Sequence, residues 1–298
     1  MLYQEIARKF SSVAARMPFS FASHTTVGIG GCAPLAFFPE NAEDCTRILL
    51  FLQGEGIPHC VLGNGSNVLV SDSGFEGVVL CTVRMKQIFC DRAGETVYAA
   101  CGARLDEIVR TAGRYGLGGL SFLCGIPATL GGALYMNAGA RERYMDSIVL
   151  RADVIEGGEK KSYTVRECEY SYKTSRFMQE DCLILGGLLH AIPQDEEQIA
   201  LGIMQARRAR ENLPVGKSLG CVFRNPPGDS AGRLIESVGL KGSSCGEAYV
   251  SERHANFIIN RGHATAKDYA ALIGEIKQKV FSETGRMLSE EIRYIGEF

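Results

Sequence analysis

The chain has 298 residues, 46% of them hydrophobic and 22% charged, with 32 Lys and Arg against 34 Asp and Glu. That balance belongs to a folded globular protein with ample core and excludes disordered and collagen-like chains. A net charge of −2 gives no electrostatic reason to expect nucleic acid or an anionic membrane, which leaves a small molecule or another protein as the expected partner.

Residues 1–17 alternate charged and apolar positions at helical spacing and lack the continuous apolar stretch of a signal peptide, so a helix and no export are expected. The apolar runs at 48–52 and 182–189 fall short of the roughly 20 residues a membrane span requires. Asn41 precedes AEDCTRILLFLQGEG, a helix pattern with a polar cap, early acids and a Gly-rich stop. HCVLG and VLVSD read as strands on either side of the loop GNGSN (63–67), and VVLCTV (78–83) reads as another. A helix is expected over 104–115, ending at Gly116. Segments 147–155 and 161–165 flank a Gly-containing turn and read as a hairpin, followed by a buried strand at 182–191. Residues 195–212 are acidic at the start and basic at the end, as the helix dipole favours. Then come a strand-like CVF, a helix at 231–238, the strand HANFIIN, a long helix at 266–284 and a last strand at 292–295. The mixture reads as α+β in two domains, 1–193 with the N-terminal helix 1–17 included, and 194–298.

The 11 cysteines are odd in number and contain no C-x-x-C pair, so neither a complete disulfide framework nor a zinc ribbon follows. A reducing cytoplasm is expected, with most of the thiols, Cys45 and Cys60 among them, acting as small core residues. The histidines show no metal-ligand spacing, and no metal is expected.

GNGSN has G-x-G spacing, but it does not open a helix and Val68 stands where a third glycine belongs, so a Rossmann reading fails. Consecutive small residues there can turn several N–H groups inward, with Asn64, Ser66 and Asn67 adding donors, which makes a nest suited to a pyrophosphate; an ordinary Gly-rich turn is the alternative. GIPATLGGALYMNAG (125–139) places small residues where a flat ring or phosphate approaches closely, or where a helix packs tightly on a sheet. GSSCG (242–246) matches a nucleophile elbow in letters but lacks the flanking strand and helix. YSYKTSRF and LGCVFRNP concentrate aromatic, basic and thiol groups, and each alone reads equally as an exposed edge strand.

Taken in order, HTTVGIGG (24–31), LGNGSNVLVSD (62–72), GIPATLGGALYMNAGA (125–140), YSYKTSRF (170–177), RRARENLP (207–214), LGCVFRNP (219–226), AGRLIESVGLKG (231–242), AYVSERHANFIIN (248–260) and LSEEIRYIG (288–296) resemble the UDP-N-acetylenolpyruvoylglucosamine reductase family over nearly the whole chain. The resemblance implies an α+β fold: a PCMH-type, vanillyl-alcohol-oxidase-like FAD-binding domain of two α/β subdomains, then a C-terminal α+β substrate domain. It implies FAD as cofactor, NADPH as co-substrate and UDP-N-acetylglucosamine enolpyruvate as substrate, in a cytoplasmic protein expected to be a monomer. Carried over position by position, Thr25, Thr26, Gly63, Asn64, Gly65, Ser66, Asn67, Gly125, Ile126, Pro127, Thr129, Gly131, Gly132, Asn137 and Gly139 fall on the cofactor. Tyr172, Arg207, Arg208, Lys217, Asn225, Lys241 and His254 fall on the substrate, from the family pattern or from charge. The short stretch between Lys173 and Cys221 looks like the second type of the family, which lacks a tyrosine-bearing insertion.

Two catalytic positions depart from the pattern. The family's proton-donating serine is Cys221 here, and its arginine is Lys173. A thiol, with a reference pKa of about 8.5, is a stronger acid than a serine hydroxyl, so Cys221 is competent in the role. Lys173 keeps the charge but loses the arginine fork, which Arg176 could replace only from the other face if the segment were a strand. Glu291 matches the family's catalytic glutamate, with Glu290 as its neighbour; alternation along a strand lets only one face the site. Another PCMH-type oxidoreductase and a flavin-binding protein that has lost catalysis share the glycine loops and remain alternatives.

Overall fold

The computed structural model describes residues 2–140 and 142–298 and divides into two compact units. The first comprises the residues to Ala15, Ala36–Asn64 and Val78–Glu211; the second comprises Arg16–Leu35, Gly65–Gly77 and Asn212–Phe298.

In the first unit, one sheet has the order Ala14–Arg16, Leu35–Phe38, Val78–Cys81, His59–Leu62. His59–Leu62 runs parallel to Val78–Cys81, and the helix Ala42–Gly54 precedes it. Asn41 begins that helix as expected, its side chain accepting the Asp44 N–H at 2.8 Å. A second, antiparallel sheet has the order Glu159–Thr164, Val149–Glu156, Cys182–His190, Thr96–Ala100, Ile88–Asp91. The expected hairpin is its outer edge, closing at Glu156 opposite Glu159. Helices Leu105–Arg114 and Leu130–Met136 pack on this sheet.

The second unit is built on an antiparallel sheet of order Lys217–Cys221, Phe257–Asn260, Ala248–Val250, Ser244–Cys245, with helix Ala266–Thr284 packed against it and helix Ala231–Ser237 packed against that helix. Its core joins Leu234, Ile235, Tyr269, Leu272 and Ile276 to Val27, Ile29 and Leu69. Tyr269 is fully buried and donates its hydroxyl to the Ile258 carbonyl at 3.1 Å, so its one polar atom is satisfied. Arg293–Ile295 pairs in parallel with Val68–Val70.

Three expectations change. The N-terminal helix covers Leu2–Lys9 rather than 1–17, of which Met1 lies outside the described residues; Ala14–Arg16 is a strand. Pairing beside Leu35–Phe38 outweighs the helical spacing of that short segment. The compact units also differ from a single cut at 193/194. Pro193 pairs with Leu117, and the following helix Glu196–Arg208 packs against Ser121–Leu123 and Leu105–Arg114, so the first unit continues to Glu211. Finally, of the 11 cysteines only Cys45, Cys81, Cys101, Cys124 and Cys168 are buried, fewer than expected.

The N-terminus of Ala266–Thr284 carries two caps. Thr265 and Asp268 form a reciprocal capping box, and the Asp72 carboxylate accepts the N–H groups of Ala266 at 2.8 Å and Lys267 at 3.0 Å. Asp72→Ala strands both donors and should lower stability by about 1–2 kcal/mol, read as a lower denaturant midpoint at unchanged slope.

Candidate active site

In the second unit, LGCVFRNP does not continue as a regular strand. The pairing of Lys217–Cys221 with Phe257–Asn260 shifts register between Ser218 and Cys221, where Gly220 takes φ 77°. The bulge re-aims Cys221, which is half-buried and sits opposite Phe257. Beyond it, the buried Asn256 side chain grips Phe223 twice, accepting its N–H and donating to its carbonyl, both at 2.8 Å. On the other side runs LSEEIR. Arg224 N–H donates to the Ser289 carbonyl at 2.8 Å, Phe223 bridges Glu290, and Glu291 N–H donates to the Val222 carbonyl at 2.7 Å. Residues 221 and 291 therefore belong to directly bonded neighbouring segments.

Of the two glutamates, Glu290 is engaged elsewhere. Its carboxylate takes the Lys277 ammonium at 2.7 Å and faces Tyr294, whose phenol is pushed up in pKa by burial and by that carboxylate. Glu290 forms an isolated bridge and Glu291 lies between it and the strand Arg293–Ile295, so the Lys277 pair leaves Glu291 as the glutamate not committed to that lysine.

The GNGSN loop spans the boundary between the units, with Gly63 and Asn64 in the first and Gly65, Ser66 and Asn67 in the second. Gly65 takes φ 62°, and a Cβ on it would stand 2.3 Å from the His24 carbonyl oxygen, so no other residue fits. Thr26 N–H donates to the Gly65 carbonyl at 3.1 Å. The hydroxyls of Thr25 and Thr26 donate to Ile29 and Ser218 carbonyls at 3.0 and 2.6 Å. Asn67 donates its side-chain amide to the Glu291 carbonyl at 3.1 Å, a contact that spacing alone does not reveal.

In the first unit, Asn64 donates to the Pro127 carbonyl at 2.7 Å and so holds GNGSN against GIPATLGG. A Cβ on Gly63 would stand 2.5 Å from Thr129 Oγ1. That hydroxyl is buried and has no hydrogen-bond partner in the protein, which ordinarily costs about 1–3 kcal/mol. An orphaned donor beside Gly63, which presents no side chain there, fits a phosphate-bearing cofactor. Within this segment, residues 130–136 form the helix Leu130–Met136. Its first N–H groups are spent on Ala103 and Cys101 carbonyls, both at 2.8 Å, and a Cβ on Gly131 would press to 2.9 Å from Cys101 Cβ. Gly131 thus serves helix packing.

YSYKTSRF is not a strand. Ser171 and Thr174 exchange both backbone hydrogen bonds around a two-residue turn, with Lys173 at φ 59°. Asn137, itself at φ 43° and fully buried, secures this turn by donating to the Ser171 carbonyl at 3.0 Å while exchanging bonds with Asp146. Tyr172 packs edge-on against Tyr144. Arg176 is committed to Glu180 at 2.6 and 2.9 Å and to the Glu167 carbonyl, so it does not substitute for the missing arginine.

The remaining candidates divide between the units. Arg207 and Arg208 are exposed at the end of a first-unit helix. In the second, the Lys217 stem covers Gly28, Asn225 accepts the Ala231 N–H at 3.0 Å, and Lys241 pairs with Glu236 at 2.7 Å. His254 accepts the Asn256 N–H at 3.3 Å; burial, with Lys241 nearby, holds its pKa down and favours neutral imidazole. Sequence reasoning missed Asn256, whose only signal is an asparagine inside an apolar strand pattern.

Comparison with known proteins identifies the fold and its family. Residues 33–160 match an FAD binding domain, which places the chain among FAD-binding proteins of α+β architecture. Residues 211–295 match the C-terminal domain of UDP-N-acetylenolpyruvoylglucosamine reductase. The reductase of Caldicellulosiruptor bescii is 40% identical over 280 residues, covering 92% of this chain and 88% of the relative. That of Heliobacterium modesticaldum is 41% identical over 281 residues, with 92% and 88% covered. The crystal structure of the Thermus caldophilus reductase is 34% identical with a TM-score of 0.80, covering 95% of this chain and 99% of that one. The chain belongs to the UDP-N-acetylenolpyruvoylglucosamine reductase family.

Thiol chemistry distinguishes the cysteines. Loss of solvation pushes the half-buried Cys60 and the buried Cys101 thiols up to about 12 and the buried Cys45 higher still, so almost no thiolate exists there at pH 8. Brief alkylation of the native protein at pH 8, mapped by peptide mass, should modify the exposed Cys32 and leave those three unmodified.

Proposed function

We propose that the protein reduces UDP-N-acetylglucosamine enolpyruvate to UDP-N-acetylmuramate, a step in peptidoglycan precursor synthesis, with NADPH as reductant. The observation that carries this reading is the apposition of the Cys221 and Glu291 segments, bonded between Val222 and Glu291, in a chain about 40% identical to curated reductases. FAD, when bound, supplies hydride transfer, accepting from NADPH and delivering to the methylene carbon of the enolpyruvyl group.

That delivery leaves negative charge on the carbon beside the carboxylate, which must be stabilised and protonated. Cys221 gives the proton from its thiol and regains one from solvent. Glu291 polarises the reacting end or relays the proton, while Glu290 stays with Lys277. Lys173 supplies the positive charge that the family's arginine carries, as a point charge rather than a bidentate fork. Its turn is built by Asn137, so Asn137 acts here by positioning.

Gly63, Asn64, Gly65 and Ser66, with the 125–139 segment and the Thr129 hydroxyl, hold the cofactor. Thr25 and Thr26 contribute through the loop that they tie down. Tyr172, Arg207, Arg208, Lys217, Asn225, Lys241 and His254 are assigned to the nucleotide and sugar. The first unit then serves chiefly the cofactor and the second the substrate. No described helix is long and apolar enough to cross a membrane. The reading takes the protein as a cytoplasmic monomer.

Purified protein offered FAD should bind it stoichiometrically by flavin absorbance. Cys221→Ala should leave NADPH bleaching of the flavin unchanged and slow its reoxidation by the enolpyruvyl nucleotide by roughly 10²–10⁴-fold, whereas Cys221→Ser should retain substantial activity. Equal slowing of both half-reactions would remove Cys221 from the role of proton donor.

A further inference from the structure

The parallel ladder between Val68–Val70 and Arg293–Ile295 ends at the pair Val68 and Arg293. Asn67 extends it in two ways. Its main-chain carbonyl accepts the Arg293 N–H at 2.9 Å, and its side-chain amide reaches back to the Glu291 carbonyl at 3.1 Å. Only the nitrogen end of an asparagine amide can donate to a carbonyl, so the orientation of the side chain is determined.

Glu291 is consequently bonded on both its peptide groups. Its N–H is fixed to Val222, one residue from Cys221, and its C=O is fixed to Asn67. With the two planes flanking the Glu291 Cα held, the direction of its Cα–Cβ bond is held as well. Next to it the Glu290 carboxylate is anchored to Lys277, which opposes rotation of the segment about its axis. The Asn67 amide spends one of its two N–H donors on this carbonyl and keeps the other, together with its acceptor oxygen.

We propose that Asn67 is a positioning residue for Glu291, aiming the carboxylate through its backbone carbonyl. This rests on the reading above in which Glu291 acts at the enolpyruvyl group. It gives the last residue of GNGSN a task on the proton-handling side of the site.

The test is a double-mutant cycle on the FAD-loaded protein with Asn67→Ala, Glu291→Gln and the pair. FAD affinity of Asn67→Ala should change about twofold or less, and NADPH bleaching should keep its rate. Reoxidation by the enolpyruvyl nucleotide should slow roughly 10- to 100-fold, and the double variant should be no slower than Glu291→Gln alone. Additive slowing, or a loss of FAD affinity that accounts for the whole effect, overturns the inference. If Glu291→Gln alone reoxidises at the original rate, the reading of Glu291 fails and this inference with it. The unsubstituted protein gives a measurement that needs no variant to fold: one Asn67 Nδ2 proton should exchange slowly with solvent by NMR. Exchange at the rate of a free amide overturns the bond.

Discussion

The candidate site depends on how the main chain of residues 222–224 is held, since the strand that carries Cys221 ends before it. Asn256 bonds one edge of this segment through both ends of its amide and through its own carbonyl, which accepts the Val222 N–H at 2.9 Å. Residues 289–291 bond the other edge at Val222 and Arg224. Asn256 is 2% exposed, and every bond it makes replaces water that it cannot reach. A buried amide with all partners present rigidifies its surroundings, and one that loses a partner is costly, so the arrangement resists partial change. The thiol and the carboxylate inherit their placement from it.

The glycine segments show that packing and ligand binding are not competing explanations of one motif. Gly131 is required because Cys101 presses on the helix there, while two positions earlier Thr129 leaves a buried hydroxyl unsatisfied. A single run of sequence thus closes against the sheet at one position and leaves a buried hydroxyl unsatisfied at another. Neither letter count nor spacing separates the two uses.

Much of the secondary structure was legible because its causes are local. Asn41, Asp195 and Thr265 cap helices within three residues of themselves, and the hairpin closes through Gly157 and Gly158. The misreadings share a different cause. Ala14–Arg16 becomes a strand through its neighbour in the sheet, and YSYKTSRF becomes a turn because Asn137 and a left-handed Lys173 shape it. In the site, the residue types were legible from the family pattern, and their supports were not. Asn67 and Glu291 are 224 positions apart, and Asp72 and Ala266 are 194 apart. No periodicity in the sequence encodes such pairs, which arise only when the chain has folded.

The second unit draws Val27, Ile29 and Leu69 into the same core as Tyr269 and Ile276. During synthesis, those early residues leave the ribosome long before the segment that will enclose them. Their apolar side chains must wait, exposed or provisionally covered, until nearly the whole polypeptide has been made. A fragment starting near residue 212 would lack them and would have to close its interior without three of its members. Maturation of this half is therefore a late event with high contact order, and a nascent-chain chaperone would find its clearest target in the stretches 16–35 and 65–77.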